Sequence, residues 1–190
     1  MLDLPEVRFQ PVRIATLHGI QCFDGLMETR ELLIVEWARE SPSTRRMLDS
    51  IPEDRFTWKP HPKSKELGAL ALHVAALPGR FSSVFATEMF DPTRARQPDI
   101  SGKSDIMTLF DSGSAKVEEG LRNTPESEYG REFTFSREGT VIARMPKAMF
   151  LRTFLVNHMI HHRAQLSVYL RLLDVPVPGM YGPSADDLQS

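Results

Sequence analysis

The stretch Asn157-His158-Met159-Ile160-His161-His162-Arg163-Ala164-Gln165 decides how this chain is read, because it holds three of the six histidines of a 190-residue protein. His158 and His162 stand four apart. On an α-helix that spacing turns the side chains through only about 40°, so both imidazoles leave one face a turn apart. Two stacked imidazoles can grip one divalent ion, as they do in helical HExxH sites. Buried side by side without a partner, they would cost several kcal/mol in unsatisfied polar groups. A lone histidine on an apolar stripe is usually a hydrogen-bonded core residue; the paired spacing moves the reading toward a metal.

Working outward, the surrounding helix is expected to start at Pro146, whose missing N–H suits a first turn, and to run to about Asp174 before Pro176 and Pro178. Leu151, Phe154, Leu155, His158, His162, Gln165, Leu166 and Tyr169 fall on one stripe with steps of three and four, which is taken as the inward face. His161 and Arg163 lie to either side of it, toward rim or solvent. The pair His158 and His161 is a competing arrangement that points away from the stripe centre.

Upstream, periodicity predicts a helix from about Asp24 to Ser50 with a kink or break near Ser41, before Pro42. Residues 51–64, with Pro52, Pro60 and Pro62, read as an extended connection. A second helix is expected from Ser64 to Met89, bent at Pro78-Gly79, with Leu67, Leu70, Ala71, Val74, Leu77 and Phe81 as its stripe. Residues 91–103 read as a loop, and Ser104 is the expected N-cap of a third helix ending near Asn123. Weak alternation over residues 130–142 suggests a short hairpin. Residues 1–22 show no sustained period and read as an arm lying on the domain. The expected fold is all-α: one domain over residues 1–190, an antiparallel four-helix bundle with that irregular arm and the hairpin before the last helix.

Composition narrows the function. Hydrophobic residues at 41%, charged residues at 25% and a net charge of -2 describe an ordinary globular chain with no global attraction to nucleic acid or acidic membranes. No apolar run is expected to span a bilayer, and the single cysteine, Cys22, cannot form an internal disulfide; both suit a cytoplasmic location. Cys22 has no nearby basic cluster to activate it. Glycine-rich phosphate loops and nucleophile elbows are absent from the sequence.

A third ligand is needed, since zinc sites use three or four. His18 lies in the arm and His61 in a Pro-His-Pro segment. His73, flanked by Leu70 and Leu77, is the other histidine that helical periodicity aims inward. His73, His158 and His162 would leave a divalent ion its full charge and at least one open position. Gln165, one turn beyond His162, could hold a bound water or thiol, orient a ligand, or serve as a plain amide at the core edge. Asn157 and His161 are candidates for accepting the far N–H of a ligand imidazole, or for surface roles.

Several segments together resemble the DinB/YfiT-like metal-binding helical bundles: residues 56–64, Phe56-Thr-Trp-Lys-Pro-His-Pro-Lys-Ser; then Leu67-Gly68, Leu70 and His73; then residues 157–166, and the sequel through Tyr169, Pro178 and residues 181–186. The resemblance covers residues 32–187, with Ala164 where glycine is common. It implies a four-helix bundle of unusual helix order and a three-histidine site for nickel or zinc, carried onto His73, His158 and His162. It further implies a homodimer and, in members with known activity, thiol-dependent transfer or isomerisation with a small thiol cofactor. Two classes of function follow: a metal-dependent small-thiol transferase or hydrolase acting on a small molecule, favoured here, and a non-catalytic metal-binding bundle connected with stress or structure.

Overall fold

The computed structural model describes residues 27–94 and 100–188; the arm, His18 and Cys22 lie outside the described residues. Four long helical segments build it: α1 (Thr29–Asp49), α2 (Leu67–Phe81), α3 (Lys103–Asn123) and a last continuous helix made of α5 (Lys147–Phe150), a π-helical stretch (Leu151–Asn157) and α6 (His158–Leu172). A short turn of helix, α4, covers Glu126–Tyr129. α1 packs on α3 and α6, and α2 packs on the same two, so the consecutive helices α1 and α2 face each other diagonally across the bundle.

The expected break near Ser41 does not occur: α1 runs through Pro42 without interruption. Proline removes one rung of the helical ladder and crowds the carbonyl four residues back. Here Leu33, Trp37, Thr44, Met47 and Leu48 are buried on both sides of it, and Ser41 pairs with Ser114 of α3. That packing holds the helix together across the missing rung.

α2 is shorter than expected. It ends at Phe81 and tightens into a 3-10 turn, Ser82–Phe85, before a two-residue strand β1 (Met89–Phe90). Pro78 and Gly79 sit against Gly113 of α3, where an added Cβ would come within 2.5 Å of the Gly79 nitrogen. Glycine at 113 is what lets α2 and α3 approach this closely. The span Leu67–Phe85 is long and apolar enough to cross a membrane by length and composition, contrary to the expectation from sequence. More than half of it is buried, as the central helix of this core.

Residues 56–58 lie along the start of α2, where the Gly68 N–H donates to the Phe56 carbonyl at 2.9 Å and the Leu67 N–H to the Trp58 carbonyl at 2.8 Å. A Cβ on Gly68 would lie 2.9 Å from the Phe56 side chain, which accounts for glycine there. Ser104 does not cap α3; Gly102 holds that place, and Asp105 in the first turn accepts from the Ser101 N–H at 2.8 Å.

The hairpin is present and longer than anticipated: β2 (Glu132–Arg137) pairs antiparallel with β3 (Thr140–Pro146), and β1 adds in parallel to β2. Glu138 and Gly139 turn it with φ of 51° and 80°, the paired positive φ of a tight hairpin turn. Phe90, Phe133 and Phe135 on this small sheet pack with Phe81, Phe150 and Phe154, anchoring the start of the last helix.

The inward face of that helix keeps Leu151, Leu155, Leu166 and Tyr169 of the predicted stripe and departs from it at the other positions. Leu151, Leu155, Met159, Arg163, Leu166 and Leu170 are buried, whereas His158 and His162 are half-buried at the edge and Gln165 is exposed. Three successive steps of four separate Leu151 from Arg163. In a straight α-helix each such step drifts by about 40°, enough to carry the row out of the core. The wider π turn absorbs the drift and rotates the buried row by one position from the α-helical reading.

Candidate metal centre

α2 and α6 bring His73, His158 and His162 together at their contact, with one ligand nitrogen from each lying within 4.8 Å of the other two. His73 Nε2 is 3.2 Å from His158 Nε2, and His158 Nε2 is 2.9 Å from His162 Nε2. Two nitrogens bound to one tetrahedral zinc at 2.0–2.1 Å stand about 3.3 Å apart. The separations fall within a few tenths of that.

The far side of two rings is already engaged. His158 Nδ1 faces the Phe154 carbonyl at 3.3 Å, and His162 Nδ1 faces Gln165 Oε1 at 2.7 Å. Each acceptor draws the single proton of a neutral imidazole to Nδ1, which leaves a bare lone pair on Nε2. With both protons on Nδ1, the two Nε2 lone pairs face each other across 2.9 Å, and a cation between them would remove their repulsion. The residues present therefore fit a divalent ion.

Electrostatics keep the rings neutral. Burial lowers the His73 pKa to about 4, with further lowering from His162 and His158. Burial also lowers His158, reinforced by His162 and opposed by the Phe154 carbonyl. His162 is lowered by burial and partly restored by its bond to Gln165. Neutral imidazole is the form that binds metal.

The remaining candidates divide cleanly. His61 is exposed and accepts from the Lys63 N–H at 3.1 Å, away from the triad. Asn157 and His161 are exposed; His161 lies edge-on to His162 at 4.8 Å between centroids. Their exposure matches the surface role that was one of their two expected alternatives; the other, accepting a far N–H, falls to the Phe154 carbonyl and Gln165, whose oxygens face the Nδ1 atoms. Gln165 thus sits behind His162, orienting a ring.

Arg163 was expected near the rim and is buried, 2% exposed. Its guanidinium bonds Glu40 Oε2 at 2.6 Å, the Glu40 carbonyl and Thr44 Oγ1 at 3.1 Å each, and the Tyr181 hydroxyl at 3.0 Å. Tyr181 in turn donates to Glu40 Oε2 at 3.0 Å, tying the C-terminal tail to both helices. Glu40 escaped the sequence reading, although its place one turn from Trp37 and Thr44 on a buried face was the available signal. The network clamps α6 to α1 at the residue next to His162. On the other side, Tyr169 meets the edge of Trp58 at 5.6 Å and donates to the Lys65 carbonyl at 3.2 Å.

These contacts explain segments that are spread along the chain: residues 56–58 and Gly68 seat α2, and Arg163 and Tyr181 seat α6. The sequence and the fold are similar to those of known proteins. The chain is similar to the uncharacterized protein YrdA of Bacillus subtilis (strain 168), 23% identical over 163 residues that span 85% of this chain and 93% of that one. A DinB-like protein from Bacillus cereus ATCC 10987 superposes with a TM-score of 0.64 at 25% identity, over 78% of this chain and 95% of that one. The DinB-like protein YjoA of B. subtilis gives the same TM-score, 0.64, at 19% identity over 78% and 97% of the two chains. The pattern of the DinB family matches residues 27–189, which takes in all three histidines, the buried arginine and the tyrosine of the tail, and the chain belongs to that family.

Proposed function

We propose that the protein binds one divalent metal ion, nickel or zinc, through His73, His158 and His162, and that the site serves a metal-dependent reaction of a small molecule, either transfer of a low-molecular-weight thiol or hydrolysis. The observation that carries the metal reading is the pair of Nε2 atoms 2.9 Å apart whose Nδ1 partners are both carbonyl oxygens. Such an ion supplies a Lewis acid that ionises a thiol or water near neutral pH.

The chain's own residues do the rest. The Phe154 carbonyl and Gln165 hold two imidazoles in the tautomer that presents Nε2. The buried Arg163–Glu40–Tyr181 network fixes the rotation of α6 on which those rings depend. Half-burial of the triad excludes enough water to keep the rings neutral.

A second reading, a binding or structural bundle without catalysis, is favoured by one feature. The side chains outside the triad that act on it electrostatically are basic residues: Lys65, Arg80 and His161. No carboxylate stands among them as a proton acceptor. The two readings separate in one experiment, in which metal-loaded protein and its His158→Ala variant are assayed against a panel of thiols with electrophiles and of hydrolysable esters. Turnover lost in the variant supports the enzyme. A large gain in thermal stability on adding metal, with no turnover on any pair, supports the structural bundle.

A further inference from the structure

α2 and the last helix run antiparallel past the triad, and the contacts at their ends fix what lies on either side of it. At one end the Tyr169 hydroxyl donates to the Lys65 carbonyl at 3.2 Å. At the other the rings of Phe81 and Phe150 stand 5.8 Å apart. Lys65 therefore lies beyond the His162 end of the triad, and Arg80, next to Phe81, beyond the His158 end. Arg80 follows His73 by seven residues of α2, about 10 Å along the axis and about 20° short of two full turns, so it shares the face of His73. The electrostatics agree with this placement. Burial is the main cause of the lowered histidine pKa values, and the smaller contributions divide by end: Arg80 disfavours protonation of His73 and His158, Lys65 that of His73 and His162.

Both cations are uncommitted. Among the described residues neither the Lys65 ammonium nor the Arg80 guanidinium has a carboxylate partner; Glu66, next to Lys65, stands 3.9 Å from Lys59 instead. Lys65 is exposed and Arg80 partly so. The chain as a whole carries a net charge of -2, so positive charge at both ends of the triad is not a general property of its surface.

We propose that the small molecule taken at the triad is an anion, and that Lys65 and Arg80 select it, one from each end of the site. The inference rests on the reading of the triad as a metal site and adds to it the charge of the substrate. Negative charge carried apart from the reacting atom meets Lys65 or Arg80 and leaves that atom free to reach the histidines. A neutral molecule of the same size gains nothing from the two cations, so the pair confers selectivity as well as attraction.

Cobalt(II) in place of zinc makes thiolate coordination visible as a charge-transfer absorption. Titrating the cobalt-loaded parent in low salt with mercaptosuccinate and with 2-mercaptoethanol gives a ratio of two affinities. The ion itself attracts anions, so the decisive comparison is with the double variant Lys65→Gln/Arg80→Gln, checked for helix content by circular dichroism. The ratio should fall about 5- to 20-fold there, the loss of two exposed charge pairs worth a few-fold each. An unchanged ratio in the folded double variant overturns the proposal. If that variant does not fold, Lys65→Gln alone, at an exposed position before α2, should lower the ratio about two- to fivefold, and an unchanged ratio overturns the proposal equally. A parent that binds no cobalt contradicts the metal reading alone. Succinate titrated into that metal-free protein should still shift the NMR signals of the Arg80 Nε–H and the His73 ring, and signals that do not move overturn the anion site.

Discussion

His158 Nε2 stands 2.9 Å from His162 Nε2 while the opposite nitrogen of each ring faces an oxygen, the Phe154 carbonyl for one and Gln165 for the other. With both protons on Nδ1, neither neutral ring has one to place between them, and the pair fits a cation. From this relationship follow the predictions about ligands and pH.

The three proposed ligands should be separable from the other histidines. His73→Ala, His158→Ala and His162→Ala should each reduce zinc or nickel affinity by at least tenfold, whereas His61→Ala should leave it unchanged. His161→Ala should change it little, since that ring is exposed and only borders His162. Isothermal titration of the five variants checks this, and loss of binding in His161→Ala with retention in His162→Ala would reverse the assignment of faces.

The depressed histidine pKa values give a signed pH dependence. His73 is near its ordinary value of about 6.5 when unfolded and near 4 when folded, so between those pH values the unfolded chain binds more protons. Stability of the metal-free protein should therefore be full above about pH 6.5 and fall as pH drops toward 4. His158 and His162 are lowered as well and add in the same direction. Thermal melts across this range should show the slope, reduced in His73→Ala; a melting temperature that rises on acidification would contradict it. Metal affinity should hold between pH 8 and 7 and weaken only on further acidification.

The buried Arg163–Glu40 pair should be costly to break. Arg163→Ala leaves the Glu40 carboxylate buried without its guanidinium, at a cost of about 3–5 kcal/mol. Tyr181→Phe removes one hydrogen bond to each partner and should cost about 1–2 kcal/mol. Urea unfolding measures both. Wild-type stability in Arg163→Ala would show that the network does not clamp α6.

Gln165 offers a subtler test of orientation. Gln165→Leu removes the oxygen that faces His162 Nδ1 at 2.7 Å and should lower metal affinity about tenfold with little loss of stability, because the residue is exposed. Gln165→Glu keeps an acceptor and should retain binding. Equal loss in both variants would point to contact with a bound molecule instead.

Much of this was readable from residues alone. Spacing of four brought His158 and His162 onto one edge, and the apolar stripe around His73 aimed it at the same place; no distant information was required. The face of α6 was misread by one position because a π turn leaves no mark in periodicity over a few residues: Leu151, Leu155 and Met159 look like ordinary apolar spacing until the drift is summed. Arg163 was assigned to the rim because charge argues for solvent, and its partners Glu40 and Tyr181 are separated from it by 123 and 18 residues. Continuity of α1 through Pro42 was likewise decided by packing between helices. The oxygen behind His158 belongs to the backbone, so no side-chain pattern could have announced it.

The most direct test of the central claim is X-ray absorption spectroscopy, with elemental analysis, on protein purified without chelator after growth with zinc and nickel. One divalent ion per chain with three imidazole nitrogens at about 2.0–2.1 Å is the predicted result, falling to a trace in His158→Ala. A protein that carries no ion, or an ion whose coordination is unchanged in His158→Ala, would contradict it.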